Sequence, residues 1–275
     1  MQLTTDAGRS ALAAIVDDPG GVLVALDFDG TLAPIVDDPE QARAHPGAVP
    51  ALVALARRIA LIAIITGRPA AAAVEYAGVA GVAGLEGVVV LGQYGLDRWD
   101  AASGEVSSPP PHPGIGQARS ELPAALADAD AGAAFIEDKG SALGVHTRRM
   151  PDPGAALDRL RAPLARLASE CGLSVEPGKF VLELRPLGID KGGALRSLFE
   201  ERGIRTVVYV GDDLGDLAAF DAVDDLRARG IPGLLVCSGS TEQTVLADRA
   251  DLVVDGPAGV VQLLRELAAM GEPAH

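Results

Sequence analysis

The stretch Val22-Leu23-Val24-Ala25-Leu26-Asp27-Phe28-Asp29-Gly30-Thr31 decides the fold. Its short apolar run predicts a buried strand, and that strand ends in two carboxylates one residue apart. Alternation along a strand places Asp27 and Asp29 on the same side, and Gly30 permits a tight turn beyond them. Two like charges this close repel each other, so the pair needs a cation or a shared proton. A pair of solvated acids at a strand end is the alternative, and the recurrence of the pattern downstream disfavours it.

Further short apolar runs recur along the chain and predict the other strands of the same sheet. Continuous runs of this kind are typical of parallel strands that are buried on both faces. Helical patterns lie between several of them, so we predict an α/β fold with a doubly wound parallel sheet. Ligands of such sheets bind at the carboxyl ends of the strands. The predicted strands are Val22–Leu26, Ile59–Ile65, Val88–Leu91, Val207–Val210, Leu234–Val236 and Leu252–Val254, and the helices are Val49–Ile59, Gly192–Arg202 and Leu217–Arg229.

The pattern changes after Trp99 and predicts a second, smaller domain. The proline-rich segment Ser107–Gly114 is interpreted as a linker. Two strands, a helix and two more strands then predict a small antiparallel α/β insert. We therefore divide the chain into residues 1–108, 109–185 and 186–275, where the outer two form one core. The predicted insert elements are a helix near Gln117–Ala129, strands near Ala133–Glu137 and Leu143–Thr147, a helix at Gly154–Cys171, and strands near Leu173–Glu176 and Phe180–Leu184.

Composition excludes several classes of function. The formal net charge of −15 argues against a nucleic-acid partner, because phosphate backbones attract basic surfaces. Cys171 and Cys237 stand far apart and suggest neither a disulfide framework nor a zinc site. The N-terminus carries acids within its apolar pattern, so we predict no signal peptide, and no apolar run is long enough to span a bilayer. We expect a cytoplasmic protein with no membrane partner, and the sequence does not identify its protein partners.

Three later segments carry residues suited to phosphate chemistry. Thr66-Gly67-Arg68-Pro69 follows a predicted strand, although a threonine there can equally serve as a helix cap. Asp190-Lys191 opens a predicted helix, where an ammonium is unfavourable unless an anion compensates it. Gly211-Asp212-Asp213-Leu214-Gly215-Asp216 again places clustered acids after a strand. The chain has only three lysines, Lys139, Lys179 and Lys191, and each falls in a segment that other arguments single out.

These four segments, in this order, resemble the haloacid dehalogenase superfamily of phosphatases. The resemblance implies that Asp27 attacks phosphorus and that Asp29 serves as acid and base. It implies that Thr66, Gly67 and Lys191 hold the phosphoryl group. It further implies a Mg²⁺ cofactor, whose ligands would be Asp27, the main-chain carbonyl of Asp29, and Asp212. Either Asp213 or Asp216 would support the metal.

The insert lies between the second and third of these motifs, because the connection from Thr66 to Lys191 is too long for one crossover. Three of its fragments are similar to the trehalose-6-phosphate phosphatases: Glu137-Asp138-Lys139, His146-Thr147-Arg148 and Gly178-Lys179-Phe180-Val181-Leu182-Glu183. The resemblance implies an insert that acts as a cap and grips the sugar. The residues implied for this are Glu137, Lys139, His146, Arg148, Lys179 and Glu183.

The chain departs from that family at two points near the core motifs. Tyr94 stands where a histidine is usual, and Gly215-Asp216-Leu217 replaces the usual threonine, aspartate and glutamate. We expect a Mg²⁺-dependent phosphatase that hydrolyses trehalose 6-phosphate to trehalose and phosphate through an aspartyl-phosphate on Asp27. The alternatives are another sugar phosphate as substrate (sucrose phosphate, mannosylglycerate phosphate or a pseudo-disaccharide phosphate), or a sugar-phosphate-binding regulator without catalysis.

Overall fold

A computed structural model describes residues 3–178, 180–239 and 244–270 of the protein. This part of the chain forms two compact units, which we call the core unit (Met1–Ser108 with Asp190–His275) and the insert unit (Pro109–Ile189). Lys179 lies outside the described residues. The strands are β1 (Val22–Leu26), β2 (Leu61–Ile65), β3 (Val89–Gly92), β4 (Asp97–Asp100), β5 (Glu105–Ser107), β6 (Phe135–Asp138), β7 (Leu143–His146), β8 (Leu173–Gly178), β9 (Val181–Pro186), β10 (Thr206–Gly211), β11 (Gly233–Gly239) and β12 (Leu252–Asp255). The helices are α1 (Asp6–Asp17), α2 (Ala48–Ala56), α3 (Ala70–Ala77), α4 (Pro113–Asp128), α5 (Pro153–Glu170), α6 (Lys191–Arg202), α7 (Leu217–Ala228), α8 (Thr244–Arg249) and α9 (Gly256–Ala269).

The core unit is built on one mixed sheet, whose described strands follow the order β12-β11-β10-β1-β2-β3-β4-β5. Pairing from β12 through β3 is parallel, whereas β4 and β5 continue the sheet antiparallel at one edge. Every residue of β1, β2 and β10 is buried, as expected for central strands covered on both faces.

Helices cover both faces of this sheet. Side chains of α1, α2, α3 and α9 pack with alternate strand residues such as Val24 and Leu26 on one face. Side chains of α6, α7 and α8 pack with Leu23 and Ala25 on the other. The predicted doubly wound α/β class is therefore confirmed.

The insert unit is a four-stranded antiparallel sheet, within the described residues, in the order β6-β7-β9-β8. Leu143, Val145, Leu182 and Leu184 face a core that includes α4 and α5. Because side chains alternate along a strand, the residues between them point to the opposite face of this sheet. That face carries polar groups.

Several elements differ from the expectations drawn from the sequence. The segment Ser107–Gly114 is not entirely a linker: Ser107 ends β5, and α4 already begins at Pro113. His112 caps α4, since its Nδ1 accepts a hydrogen bond from the Gly114 N–H at 3.1 Å. The N–H groups in the first turn of a helix have no carbonyl partner within the helix. Proline suits this turn because it has no N–H to leave unpaired. The predicted strand Ile59–Ile65 begins at Leu61.

The helices were compared with the length and hydropathy of a membrane-spanning helix. Among the described residues, no helix combines the length and the apolar character needed to cross a bilayer.

Candidate active site

Three adjacent strands end at the same edge of the core sheet and place the first functional side chains there. Asp212, Asp27 and Thr66 directly follow β10, β1 and β2, which are parallel neighbours. All three side chains are buried. Lys191 opens α6, and the Asp190 side chain caps that helix by accepting a hydrogen bond from a backbone N–H in its first turn. The structure thus brings residues from distant parts of the sequence to one edge, as the sequence predicts.

Gly30 makes the close approach of two chain segments possible. Its φ of 71° lies in the left-handed region, which glycine adopts without steric cost. A Cβ at this position would lie 2.0 Å from Oδ2 of Asp212. The Ser238 hydroxyl also donates a hydrogen bond of 2.7 Å to the carbonyl of Gly30. The glycine therefore lets the Asp212 carboxylate lie directly against the turn that follows Asp27.

Lys191 joins two buried carboxylates. Its Nζ lies 2.9 Å from Oδ1 of Asp27 and 2.7 Å from Oδ1 of Asp216. Burial alone would lower the pKa of Lys191, but the negative charges of Asp216 and Asp27 outweigh it and hold that pKa well above its ordinary value. The lysine is therefore a fixed positive charge beside Asp27.

The Asp216 carboxylate accepts four hydrogen bonds, which is the number its two oxygens can hold. Oδ1 accepts from Lys191 Nζ at 2.7 Å and from the Tyr209 hydroxyl at 2.6 Å. Oδ2 accepts from the backbone N–H groups of Asp212 at 2.9 Å and Asp213 at 3.2 Å. Asp216 and Tyr209 are both fully buried. Asp216 is therefore occupied by holding Lys191 and the Asp212–Asp213 loop in place.

Four carboxylates gather into what we call the acid cluster: Asp27, Asp212, Asp213 and Asp216. One oxygen from each lies within 4.8 Å of the others. Burial raises the pKa of Asp27 to about 8, and the neighbouring Asp216 and Asp213 add to the shift while Lys191 opposes it. Burial and the charge of Asp27 raise the pKa of Asp212 to about 9. With all four carboxylates ionised the cluster would hold more negative charge than Lys191 can balance, and oxygen donors of this kind fit a hard divalent cation.

Asp29 is held by a bidentate ion pair. Arg68 Nε donates to its Oδ2 and Arg68 Nη2 to its Oδ1, both at 2.7 Å. Arg68 Nη1 donates to the carbonyl of Pro39 at 2.9 Å, and its guanidinium lies over the ring of Tyr76, 5.2 Å from the centroid. Such a fork fixes the carboxylate in both position and orientation. Arg68 therefore orients Asp29, a role that the sequence did not assign to it.

The turn after β2 carries Thr66 and Gly67. Thr66 Oγ1 accepts a hydrogen bond from the Arg68 N–H at 3.2 Å, and α3 begins at Ala70 with Pro69 as its N-cap residue. A Cβ at Gly67 would lie 2.7 Å from the hydroxyl oxygen of Tyr94. The end of the Tyr94 side chain therefore lies directly beside this turn.

The segment after β3 has an unusual backbone. Gln93 and Tyr94 have φ values of 47° and 61°, a region that side chains with a Cβ rarely adopt. Each such residue costs on the order of 1–3 kcal/mol. The segment is held to the turn after β2, because the N–H of Tyr94 donates to the Thr66 carbonyl at 3.0 Å and that of Gln93 to the Arg68 carbonyl at 2.8 Å. Gln93 Nε2 also donates to the buried Asp97 carboxylate at 2.8 Å.

A second group of polar side chains lies within the insert unit, and we call it the insert cluster: Glu137, Lys139, His146 and Glu183. Lys139 Nζ lies 2.7 Å from Glu183 and 4.0 Å from Glu137. His146 Nε2 lies 2.8 Å from Glu137 Oε2. Gly144 pairs with both Glu137 and Glu183 in the sheet, and its missing side chain leaves room between them. The structure thus brings four of the predicted sugar-binding residues together.

The structure does not place the remaining two predicted sugar-binding residues, Arg148 and Lys179, in the insert cluster. Arg148 is exposed in the turn after β7 and, among the described residues, makes no hydrogen bond or ion pair with the insert cluster. Lys179 lies outside the described residues, so its place relative to the cluster stays a prediction. An exposed ring that the sequence did not single out, Phe135, packs against His146 with the ring centroids 5.9 Å apart.

A family model described as trehalose-phosphatase matches residues 25–255. The chain belongs to the trehalose-phosphatase family. This match spans both units and all four motifs, and it confirms the resemblance that the sequence indicates. The first and fourth motifs supply the acid cluster, which lies at the carboxyl ends of β1 and β10 in the described core sheet.

Two relatives are similar over most of this chain, and one of them is a trehalose-phosphate phosphatase. The chain is similar to a trehalose-phosphate phosphatase of Mycobacterium avium, with 34% identity over 89% of this chain and 61% of that protein. It is also 36% identical to an uncharacterized glycosyl hydrolase of Mycobacterium tuberculosis, over 89% of this chain and 18% of that protein. The chain therefore spans only part of these relatives.

A solved structure supports the fold. The C-terminal domain of a trehalose-6-phosphate phosphatase from Candida albicans superposes with a TM-score of 0.75 at 22% identity. The match covers 98% of this chain and 99% of that one. At this level of identity the likeness concerns the fold alone.

Within this member of the trehalose-phosphatase family, two residues that contact the candidate site were not identified from the sequence. Arg68 was part of a quoted motif, but its partner Asp29 is distant in sequence and nothing local indicates the pairing. Tyr209 lies in an apolar strand, so the sequence indicates only a core residue. In the structure its hydroxyl donates a hydrogen bond to Asp216. A phenol within an otherwise aliphatic run was the signal available, since a buried hydroxyl usually needs a partner.

Proposed function

We propose that the protein is a Mg²⁺-dependent phosphatase that hydrolyses trehalose 6-phosphate to trehalose and inorganic phosphate. The observation that carries this proposal is the Asp27 carboxylate, which lies against Lys191 within the acid cluster at a strand end. A nucleophile, a fixed cation and a buried set of oxygen donors are what phosphoryl transfer to an aspartate requires.

Asp27 forms the covalent intermediate. An oxygen of its carboxylate attacks phosphorus, the bond from phosphorus to the sugar oxygen breaks, and an aspartyl-phosphate results. Water then attacks phosphorus, the bond between phosphorus and the Asp27 oxygen breaks, and inorganic phosphate leaves with the Asp27 carboxylate restored. Lys191 balances the negative charge beside Asp27, and Thr66 with Gly67 supports the phosphoryl oxygens from the turn after β2.

Asp29 moves the protons. It gives a proton to the departing sugar oxygen and takes one from the attacking water in the second step. Its side chain is 39% exposed, so it exchanges protons with solvent between turnovers. The fork of Arg68 fixes the direction in which this carboxylate points.

The acid cluster fits Mg²⁺, because it offers several carboxylate oxygens with a single balancing lysine. Asp27, the main-chain carbonyl of Asp29, and Asp212 would hold the ion, with support from Asp213. Asp216 is excluded as a ligand, since Lys191, Tyr209 and two backbone N–H groups already use its oxygens. When bound, the ion supplies positive charge that screens the phosphoryl oxygens from the carboxylates.

We propose that the insert, residues 109–185, acts as a cap and selects the sugar. The insert cluster offers donors and acceptors suited to sugar hydroxyls, which lose affinity when left unpaired. Glu137, Lys139, His146 and Glu183 are the proposed contacts, and Arg148 and Lys179 extend the set. A cytoplasmic location remains a prediction.

Initial rates with trehalose 6-phosphate, sucrose 6-phosphate and glucose 6-phosphate, measured side by side with Mg²⁺, test the substrate. Preference for trehalose 6-phosphate supports the proposal, whereas equal rates on all three would defeat a disaccharide-specific function. A binding regulator would release phosphate from none of them. The paired roles of Asp27 and Asp29 favour catalysis, because a binder needs neither nucleophile nor acid.

A further inference from the structure

We propose that Tyr94 contacts the substrate, and that its hydroxyl donates a hydrogen bond to the phosphoryl group at the turn formed by Thr66 and Gly67. This inference rests on the proposed function, because it takes that turn as the place where phosphate binds. It adds a specificity residue to the reaction.

The ring of Tyr94 lies beside Gly67. A Cβ on Gly67 would lie 2.7 Å from the Tyr94 hydroxyl oxygen and 2.8 Å from Cζ of the same ring. The phenol end of the side chain therefore borders the turn, and a side chain at position 67 would have to displace it. The N–H of Tyr94 donates to the Thr66 carbonyl at 3.0 Å, which joins the two segments by backbone as well.

The backbone at Gln93 and Tyr94 is strained. Gln93 and Tyr94 both have left-handed φ values, which glycine would adopt without strain. Gln93 is buried, and its Oε1 has no hydrogen-bond partner within the described residues. Strain of this kind persists where the surrounding structure enforces it, and it gathers at ligand sites. Here the buried Asp97 holds Gln93 by a hydrogen bond of 2.8 Å, so the chain keeps two large side chains where glycines would be easier.

The carboxylates of the acid cluster determine which donors suit a phosphate beside them. Asp27, Asp212 and Asp213 make this sheet edge rich in carboxylates, which disfavour a phosphate dianion when they are ionised. A phenol hydroxyl is neutral, so it donates a hydrogen bond to an anion without adding negative charge to the site. Tyr94 therefore suits a position beside the phosphoryl group.

Tyr94→Phe removes the hydroxyl and keeps the ring. Binding of inorganic phosphate to the Mg²⁺-loaded full chain is measured by titration calorimetry, and inhibition by phosphate is measured in the same buffer. We expect the dissociation constant for phosphate to rise about 10-fold, as for loss of a hydrogen bond to a charged ligand.

Tyr94→Gly separates a ligand contact from a structural role. Glycine relieves the left-handed strain, so we expect the melting temperature to stay level or rise by about 2–4 °C while phosphate binding weakens. Asp130→Gly is the matched control, because exposed Asp130 in the insert unit also has a left-handed φ, of 52°. That variant should gain stability and bind phosphate like the parent.

Three results would overturn the inference. One is a Tyr94→Phe variant that binds phosphate as tightly as the parent. Another is a Tyr94→Gly variant whose melting temperature falls, as expected for a packing residue. The third is a raised KM for the sugar phosphate with unchanged phosphate affinity, which would assign Tyr94 to the sugar. If the parent hydrolyses no sugar phosphate but Tyr94→Phe still weakens phosphate binding, the proposed function fails and this inference stands.

Discussion

The acid cluster should make the metal-free protein less stable as pH rises through the neutral range. Asp27 and Asp212 have folded-state pKa values of about 8 and about 9, against the ordinary value of 3.8. Between roughly pH 5 and pH 8 the folded chain keeps protons that the unfolded chain has lost. Raising the pH through this window therefore favours unfolding.

The size of the effect follows from the number of carboxyls. Each one contributes up to about 1.4 kcal/mol per pH unit, so Asp27 and Asp212 together lower the free energy of unfolding by up to about 3 kcal/mol per unit. That corresponds to a melting temperature up to about 10 °C lower per unit. Asp18, Asp100 and Asp138 have lowered pKa values, so their stabilisation is lost only in more acidic solution and does not affect this window.

Thermal unfolding with EDTA between pH 5.5 and pH 7.5 measures the slope directly. Mg²⁺ should raise the melting temperature more at pH 7.5 than at pH 5.5, because the ion competes with the protons of the cluster. Asp212→Asn should flatten the slope and stabilise the metal-free protein at pH 7.5. The control Asp37→Asn, at an exposed position, should leave the slope unchanged.

A metal-free melting temperature that is level or rising over this range would refute the reasoning. So would an Asp212→Asn variant with the slope of the parent, since the repulsion would then arise elsewhere in the chain.

Three further predictions concern single positions. Gly30→Ala should destabilise the fold by more than about 1 kcal/mol and abolish turnover, because its Cβ would meet Asp212 at 2.0 Å in a left-handed backbone; a melting curve and a rate check this, and parental values for both would contradict it. Arg68→Lys should lower kcat about 10-fold with little change in KM, because a point charge replaces a bidentate fork and the pair is partly exposed; an unchanged kcat would show that Asp29 is oriented by other groups. Glu183→Ala should raise KM for the disaccharide phosphate and spare p-nitrophenyl phosphate, since it removes the partner of Lys139 in the insert unit; equal losses on both substrates would argue against a sugar contact.

The alternation of strands and helices was readable from the sequence because the central strands are buried on both faces and therefore appear as continuous apolar runs. β4 was missed for the opposite reason. Its sequence, Asp97-Arg98-Trp99-Asp100, is mostly charged. Asp97 is nevertheless buried, and its carboxylate accepts hydrogen bonds from the side chains of Gln93 and Ser108 and from the Ala70 N–H. α9 was also missed, since Gly256 and Pro257 at its start resemble a loop.

The structure brings together residues that short motifs of consecutive residues had singled out, and the contacts that the sequence did not indicate are those with a partner distant in sequence. Asp27 and Asp212 carry their chemistry in short local patterns. The choice between Asp213 and Asp216 could not be made in the sequence, because it depends on the donors that converge on Asp216 in space. The scarcity of lysine was informative: Lys191 and Lys139 each lie within 3 Å of a carboxylate in a predicted site.

Phosphate release from trehalose 6-phosphate by the parent and by Asp27→Asn tests the aspartyl-phosphate mechanism most directly. The assay follows phosphate and trehalose together in the presence of Mg²⁺, with Asp37→Asn as the control for an exposed acid in the same unit. The parent and the control should release both products in equal amounts, and Asp27→Asn should release neither above background while remaining folded. Undiminished release by Asp27→Asn would contradict the assignment of Asp27 as the nucleophile.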